Sequence, residues 1–418
     1  MIIQGTPWRF RWRAFEILGI TLLTIAGIPS AAFAANRCPP PGTWLDPATG
    51  VVPIAEAYAQ TAAQETALLG ESHDDAEHHR WQLYTLAALR ARQPSMVIGF
   101  EMFPRRVQPV LDRWVAGKLD DREFLEAVEW DRVWGFDPEL YLPLFHFARQ
   151  NAIPMAALNV DRELVRQVGE AGWEAVPEAQ REGVGEAAPA TDAYLRSLAE
   201  VFAVKQHMSE RAPGSRAEMV APDENAIDAA LEDPKFRFFV EAQLTWDRAM
   251  AEALLAARQR SGATLAVGVM GAGHVIDGHG VSHQLSDLGL KRVAKLLPVR
   301  HGESCERVVP GYVDLAFVLP SVAEPTSYRP RLGVMVGAAS APSGAKVLQV
   351  VPDSVAEQAG LHPGDVVTTA AGEDLADQAQ LIRVVRRQAP GTWLPLVIQR
   401  DGERLELVAR FPALEPSR

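Results

Sequence analysis

The sequence predicts an α/β protein with a mainly parallel sheet, helices on both faces and a helical insertion, followed by a small β-rich module. Three observations carry this. Short runs that are apolar throughout, such as residues 96–100 and 264–269, alternate with segments of helical periodicity, as strands buried on both faces do. Several of these runs stop at a carboxylate, amide or imidazole, the usual ligand-bearing edge of a parallel sheet. After about residue 320 the pattern turns β-rich, with Asp401-Gly402 as a hairpin signal. A chain of 418 residues also exceeds one ordinary core, so more than one domain is expected.

Residues 1–34 read as a signal peptide. Arg9, Arg11 and Arg13 precede an apolar stretch over 17–28, and Ala32-Phe33-Ala34 supplies a small-residue cleavage site. This predicts export to the periplasm; the alternative is a retained anchor helix that would leave the protein membrane-associated. Cleavage would take the formal net charge from −12 to −14. A body this acidic has no electrostatic footprint for nucleic acid and none for anionic lipid.

Residues 35–65 are a lead-in, with Pro39-Pro40-Pro41-Gly42 as a loop and a helix over 54–64. Cys38 and Cys305 are the two cysteines, and in an oxidising compartment a pair suggests one disulfide. Lipid attachment at Cys38 is the rival, disfavoured by Arg37 before it; two free thiols are the third possibility.

The α/β domain is expected over 66–319. Its strands are placed at 66–69, 96–100, 154–158 and 264–269, with a fifth at 292–297. A helix after the first strand would put His79, Leu83, Leu86 and Leu89 on one face. Helical segments fill 105–150, with turns at Gly117 and Pro138. Residues 175–240 lack a strand pattern and carry Pro177, Pro189, Pro213, Pro222 and Pro234. They read as a helical insertion with its own core, able to roof a pocket with Met and aromatic side chains. Residues 320–330 read as a linker.

If the strands are parallel, Glu71, His73, Glu101, Asn159 and His274 arrive at one edge. Two imidazoles and two carboxylates suit a divalent metal held by Glu71, His73, Glu101 and His274, or acid–base work by the same four. A hydrogen-bonded polar layer is the plainer alternative. Gly271 and Gly273 would let backbone approach a ligand beside His274. His279 and His283 read as loop or helix residues.

These residues carry a resemblance. Gly70-Glu71-Ser72-His73, Phe100-Glu101-Met102, and Trp130 with Trp134 before Tyr141 resemble the ChaN-like haem-binding family. So do Ala157-Leu158-Asn159, Ala242-Gln243 with Asp247 and Met250-Ala251, and Gly271-Ala272-Gly273-His274. The likeness runs in order over about 66–290. It implies haem binding in iron acquisition, often at a homodimer interface, with a tyrosine as suggested iron ligand. Tyr141 is the first candidate, then Tyr84 and Tyr194; His73, Glu101 and His274 complete the implied haem site. The wider superfamily, which includes Tiki, TraB and erythromycin-esterase proteins, also implies metal-dependent hydrolysis at the same His and Glu residues. A non-catalytic scaffold is the third reading.

Residues 331–413 resemble a bacterial PDZ domain. Arg331-Leu332-Gly333-Val334 stands where the family has its carboxylate-binding loop, and Ser354, Ala356, Ala359-Gly360-Leu361 and Pro363-Gly364-Asp365 follow. The resemblance implies a protein or peptide partner added to a sheet edge.

Overall fold

The computed structural model describes residues 38–209, 222–302, 305, 307–321, 330–339 and 342–413. The expected signal peptide, Pro213 and most of the expected linker lie outside them. Among the described residues, eight strands form the first sheet: β1 (Trp44–Asp46), β2 (Gly50–Val52), β3 (Thr66–Glu71), β4 (Met96–Pro104), β5 (Met155–Asn159), β6 (Leu265–Gly271), β7 (Val293–Arg300) and β8 (Leu315–Leu319). Their order is β2-β1-β8-β7-β3-β6-β4-β5. Strands β3 to β8 are parallel, and the β1–β2 hairpin adds antiparallel to β8.

Two differences from expectation have physical reasons. The lead-in supplies two sheet strands, each of three residues, too short to show a two-residue period. They are held by Trp44, which is fully buried against Tyr58, Trp81 and Phe317. Strand β4 does not stop at Glu101 but runs on to Pro104, with all nine residues buried. A carboxylate there looked like a strand end because buried acids are rare.

Strands β3 and β6 are buried along their whole length, as two-sided cover by helices requires. One face packs Leu69, Phe100, Phe103, Trp114 and Phe145. The other packs Leu68, Val97, Ala266, Met250 and Leu254. Each such side chain contributes about 1.5–3 kcal/mol on full burial.

Helix Ala76–Arg92 starts where the Asp75 carboxylate accepts from the Glu77 N–H, and Arg90 and Arg92 complement its C-terminal dipole. Helix Pro234–Ser261 begins with an Asp233 cap and Pro234, and ends at Gly262, whose φ of +64° favours glycine. The insertion contributes helices Asp192–Ser209 and Glu224–Glu232. With the start of the long helix they enclose a core of Tyr194, Leu198, Phe202, Ile227 and Phe236.

Cys38 and Cys305 are joined in a disulfide, with Cα atoms 5.4 Å apart.

The C-terminal module has a second, antiparallel sheet: β9 (Val334–Ala338), β10 (Ala345–Val350), β11 (Val366–Ala370), β12 (Glu373–Asp374), β13 (Trp393–Arg400) and β14 (Glu403–Arg410). Strand β9 is an edge. Helix Gln378–Arg386 presents Leu381, Val384 and Val385 to the module's core. Its C-terminal side also meets the first module: Arg383 pairs with Asp131 at 2.8 Å and Arg387 with Asp137 at 2.9 Å.

Candidate functional site

Sheet order explains the site. Strand β6 lies between β3 and β4, with Glu71 opposite Gly271 and Phe100 opposite Val269. The ends of three neighbouring strands therefore bring Glu71, His73, Glu101 and His274 together. Glycine at 271 is required: a Cβ there would stand 2.9 Å from His73 Cε1 and 3.5 Å from Glu101 Oε2. Its N–H donates to Glu101 Oε2 at 2.5 Å. Asn159 ends β5 but faces elsewhere, its amide donating to the Glu101 backbone carbonyl at 2.9 Å.

His73 is held from one side. Its Nδ1 donates to Glu71 Oε1 at 2.9 Å, and its ring meets Trp134 and Phe136 with centroids 4.7 and 5.2 Å away. Its side chain is 30% exposed, and its Nε2 has no hydrogen-bond partner among the described residues. Glu71 serves more than His73. Tyr141 OH donates to Oε1 at 2.9 Å, and His79 Nδ1 lies 3.0 Å from Oε2 while its hydrogen is directed at Gln82 Oε1, 3.2 Å away. Burial works to raise the Glu71 carboxyl, but His73 and His79 outweigh it and bring it down to about 2. Burial likewise opposes charge on His73 and His79, yet contact with Glu71 raises both above the usual histidine range.

His274 is enclosed. Its Nδ1 donates to Asp247 Oδ1 at 2.6 Å, its Nε2 lies 3.6 Å from Glu101 Oε1, and Trp246 covers its ring at 5.1 Å. Tyr194 OH donates to the other Asp247 oxygen at 2.7 Å. Burial works to lower this imidazole, but the charges of Asp247 and Glu101 raise it to about 9.

Two expected roles are not met. Tyr141, the first candidate iron ligand, is fully buried; burial, then the Glu71 charge, pushes its phenol far up, away from phenolate. Tyr194 is likewise buried against Asp247, with its phenol pushed up by burial and that charge. Tyr84 is exposed and packs on Tyr58. Nor do Glu71, His73, Glu101 and His274 form a metal set. Among the described residues no group of three or more His, Cys, Asp or Glu could hold an ion. Several of their donor atoms are already engaged: Glu71 Oε1 by His73 and Tyr141, Glu101 Oε2 by the Gly271 N–H, and His274 Nδ1 by Asp247. His279 lies in a turn beside Tyr194, and His283 sits in a short helix facing the Pro189 carbonyl.

Sequence reasoning missed the roles of Asp247 and His79. Asp247 is fully buried on a helix whose same face carries Gln243, Trp246 and Met250. An acid inside such an apolar stripe is the signal that could have found it. His79 was placed on an apolar helix face, with nothing local to point it at Glu71.

Beside the cluster opens a cavity of about 890 Å³, within the roughly 300–1,000 Å³ usual for small-molecule sites. Its apolar walls include Met102, Val133, Val165, Phe239 and Trp246. Arg106, Arg132, Arg162, Arg166 and Lys205 also line it, with Asp161 and Glu163. Gln243, in the same wall, has its amide 3.3 Å from His274 Nδ1. Such a space suits a large, mainly apolar ligand carrying negative charge. Lys205 comes from the insertion helix Asp192–Ser209 and Phe239 from the start of the long helix.

In the second module, Leu332 is buried and Gly333 has φ +82°, where a Cβ would clash with Ser354 Cβ at 2.2 Å. The loop Arg331 to Val334 thus leads into the free edge of β9, with helix Gln378–Arg386 nearby.

Comparison with known proteins agrees with these two modules. Residues 57–285 match the family described as haem-binding uptake, Tiki superfamily, ChaN, and residues 330–409 match the PDZ domain. A ChaN structure from Campylobacter jejuni, described by its cofacial haem binding, aligns at 17% identity and TM-score 0.48, covering 66% of this chain and 95% of that one. A probable periplasmic DegP-like serine endoprotease of Hahella chejuensis is 33% identical over 73 residues, 18% of this chain and 16% of that protein. The chain thus spans about a sixth of that relative's length. The HtrA3 PDZ domain bound to a phage-derived ligand matches at 23% identity and TM-score 0.18, covering 19% of this chain and 82% of that one. The first module belongs to the ChaN family of haem-binding uptake proteins, in the Tiki superfamily, and a PDZ domain follows it in the same chain.

Proposed function

We propose that this protein binds haem in the cavity beside the two-histidine cluster and takes part in iron acquisition. The observation that carries the reading is the cavity itself: apolar and aromatic walls, a lining in which five cationic side chains outnumber two acidic ones, and an imidazole cluster next to it, in a chain of this family. Haem iron takes an axial His, Tyr, Met or Cys. His73, which is not itself among the residues lining the cavity, is the group assigned to it: its Nδ1 is anchored by Glu71, its side chain is partly open to solvent, and its Nε2 has no partner among the described residues. Because contact with Glu71 favours the protonated ring, Nε2 must give up its proton to take the iron. Bound there, haem would be cargo, and the protein's part is to desolvate the ring and orient the imidazole.

The PDZ domain would add an extended peptide to β9, with the backbone N–H groups of the loop Arg331 to Val334 receiving a carboxylate. Export to the periplasm fits the basic and then apolar character of residues 1–34. Among the described residues no helix is long and apolar enough to cross a membrane.

Titrating the purified protein with hemin tests the reading. A Soret shift saturating at a fixed stoichiometry is expected, with an altered spectrum in His73→Ala. A hemin spectrum identical to that of free hemin throughout the titration would remove haem binding.

A further inference from the structure

The cations lining the cavity are not equivalent. Arg106 is spent on Glu129 at 2.6 Å and Asp161 at 2.9 Å, and Arg132 also pairs with Glu129. Arg166 is bracketed by Glu163 and Glu170. Arg162 and Lys205 face no carboxylate within ion-pair distance among the described residues. Arg162 donates only to the Trp134 carbonyl, at 3.3 Å, and the Lys205 ammonium lies 4.8 Å from the Phe239 ring.

Their placement is not what stability alone would select. Arg162 is the first residue of helix Arg162–Ala171, where the helix dipole disfavours a cation. The residue before it, Asp161, has an acidic side chain that does not cap the helix and is turned to Arg106 instead. Lys205 approaches from a different helix, so two unneutralised charges of the same sign border one apolar space in a chain of formal charge −12. Like charges brought together around a cavity repel until an anion of matching charge enters.

We infer that Arg162 and Lys205 are the anchors for the two carboxylates of a planar macrocycle, so that this cavity selects tetrapyrrole dicarboxylates over their esters. The inference rests on the haem reading above and specifies how the same site recognises its ligand. The carboxylates stay at the exposed rim where these two side chains stand, and the ring lies between Phe239 and Trp246 and the aliphatic wall. Each charge-assisted contact sets orientation as well as affinity.

The test compares hemin and iron-free protoporphyrin IX, each with its dimethyl ester, on the full chain, by absorbance and tryptophan quenching. Hemin should bind at least about tenfold more tightly than its dimethyl ester, and protoporphyrin IX should show the same preference over its own ester. Arg162→Gln and Lys205→Gln, both at exposed positions, should each weaken hemin by about three- to tenfold and leave the ester unchanged. Salt should weaken hemin binding and not ester binding. Equal affinity for hemin and its ester, with both variants binding as the parent does, overturns the inference and leaves haem binding standing. Absence of binding by all four ligands overturns the haem reading together with it.

Discussion

The two histidines of the cluster are built on the same plan and put to different use. Each donates Nδ1 to a buried carboxylate, each carboxylate accepts a tyrosine hydroxyl, and each imidazole meets a tryptophan. At His274 the partners, Asp247 and Tyr194, come from the long helix and the insertion, and the imidazole is buried with a second carboxylate, Glu101, facing its Nε2. At His73 the partners lie on β3 and beside a short helix, and Nε2 is left open. A histidine enclosed by two acids is held as a cation up to about pH 9 and ties elements together. A histidine held at one nitrogen keeps the other for a ligand. The tyrosines belong to the first task, which is why the phenol of Tyr141 is spent on Glu71.

The largest effect expected from this contrast is on stability. Replacing Asp247 by Ala leaves a buried imidazolium short of its main partner and should cost about 3 kcal/mol in urea unfolding. His73→Ala should cost less than about 1 kcal/mol, because that side chain is partly exposed. If the two losses are alike, the distinction between them is wrong.

Comparable in size is the pH dependence. His274 is raised from 6.5 to about 9, so its contribution is complete below about pH 6.5 and is lost as pH rises through 9. Glu71 is lowered from 4.5 to about 2, so its contribution is complete above about pH 4.5 and is lost as pH falls through 2. Each is worth on the order of 3 kcal/mol. Stability should therefore be greatest between about pH 4.5 and 6.5 and decline on both sides. His274→Gln should lose most of the alkaline limb, and Glu71→Gln the acid limb. An alkaline slope undiminished in His274→Gln would place the titration on another group.

The smallest effect is at the tyrosine. Tyr141→Phe removes one buried hydrogen bond, about 1 kcal/mol, and should leave the spectrum of bound hemin as it is in the parent protein. A changed spectrum would return Tyr141 to the iron.

Much of this was legible in the residues. The apolar runs at 96–100 and 264–269 became β4 and β6, and Gly271 and Gly70 mark the strand ends because their places admit no side chain. The convergence of Glu71, His73, Glu101 and His274 followed from parallel strands alone. What could not be read was the pairing of side chains distant in sequence. Asp247 and His274 stand 27 positions apart and Tyr194 and Asp247 stand 53 apart, and no local period couples them. A roof from the insertion was expected, but the rest of the cavity could not be read for the same reason, since its walls come from β4, β5 and four α-helices.

The crosslink between Cys38 and Cys305 separates the two modules in one more respect. It closes a loop of 267 positions that takes in almost the whole first module and excludes the second. In the chain-entropy account, so large a ring restricts the unfolded polymer by on the order of 5 kcal/mol. Thiol reductants thus act on the durability of the haem-family module, while the PDZ module has no such dependence of its own.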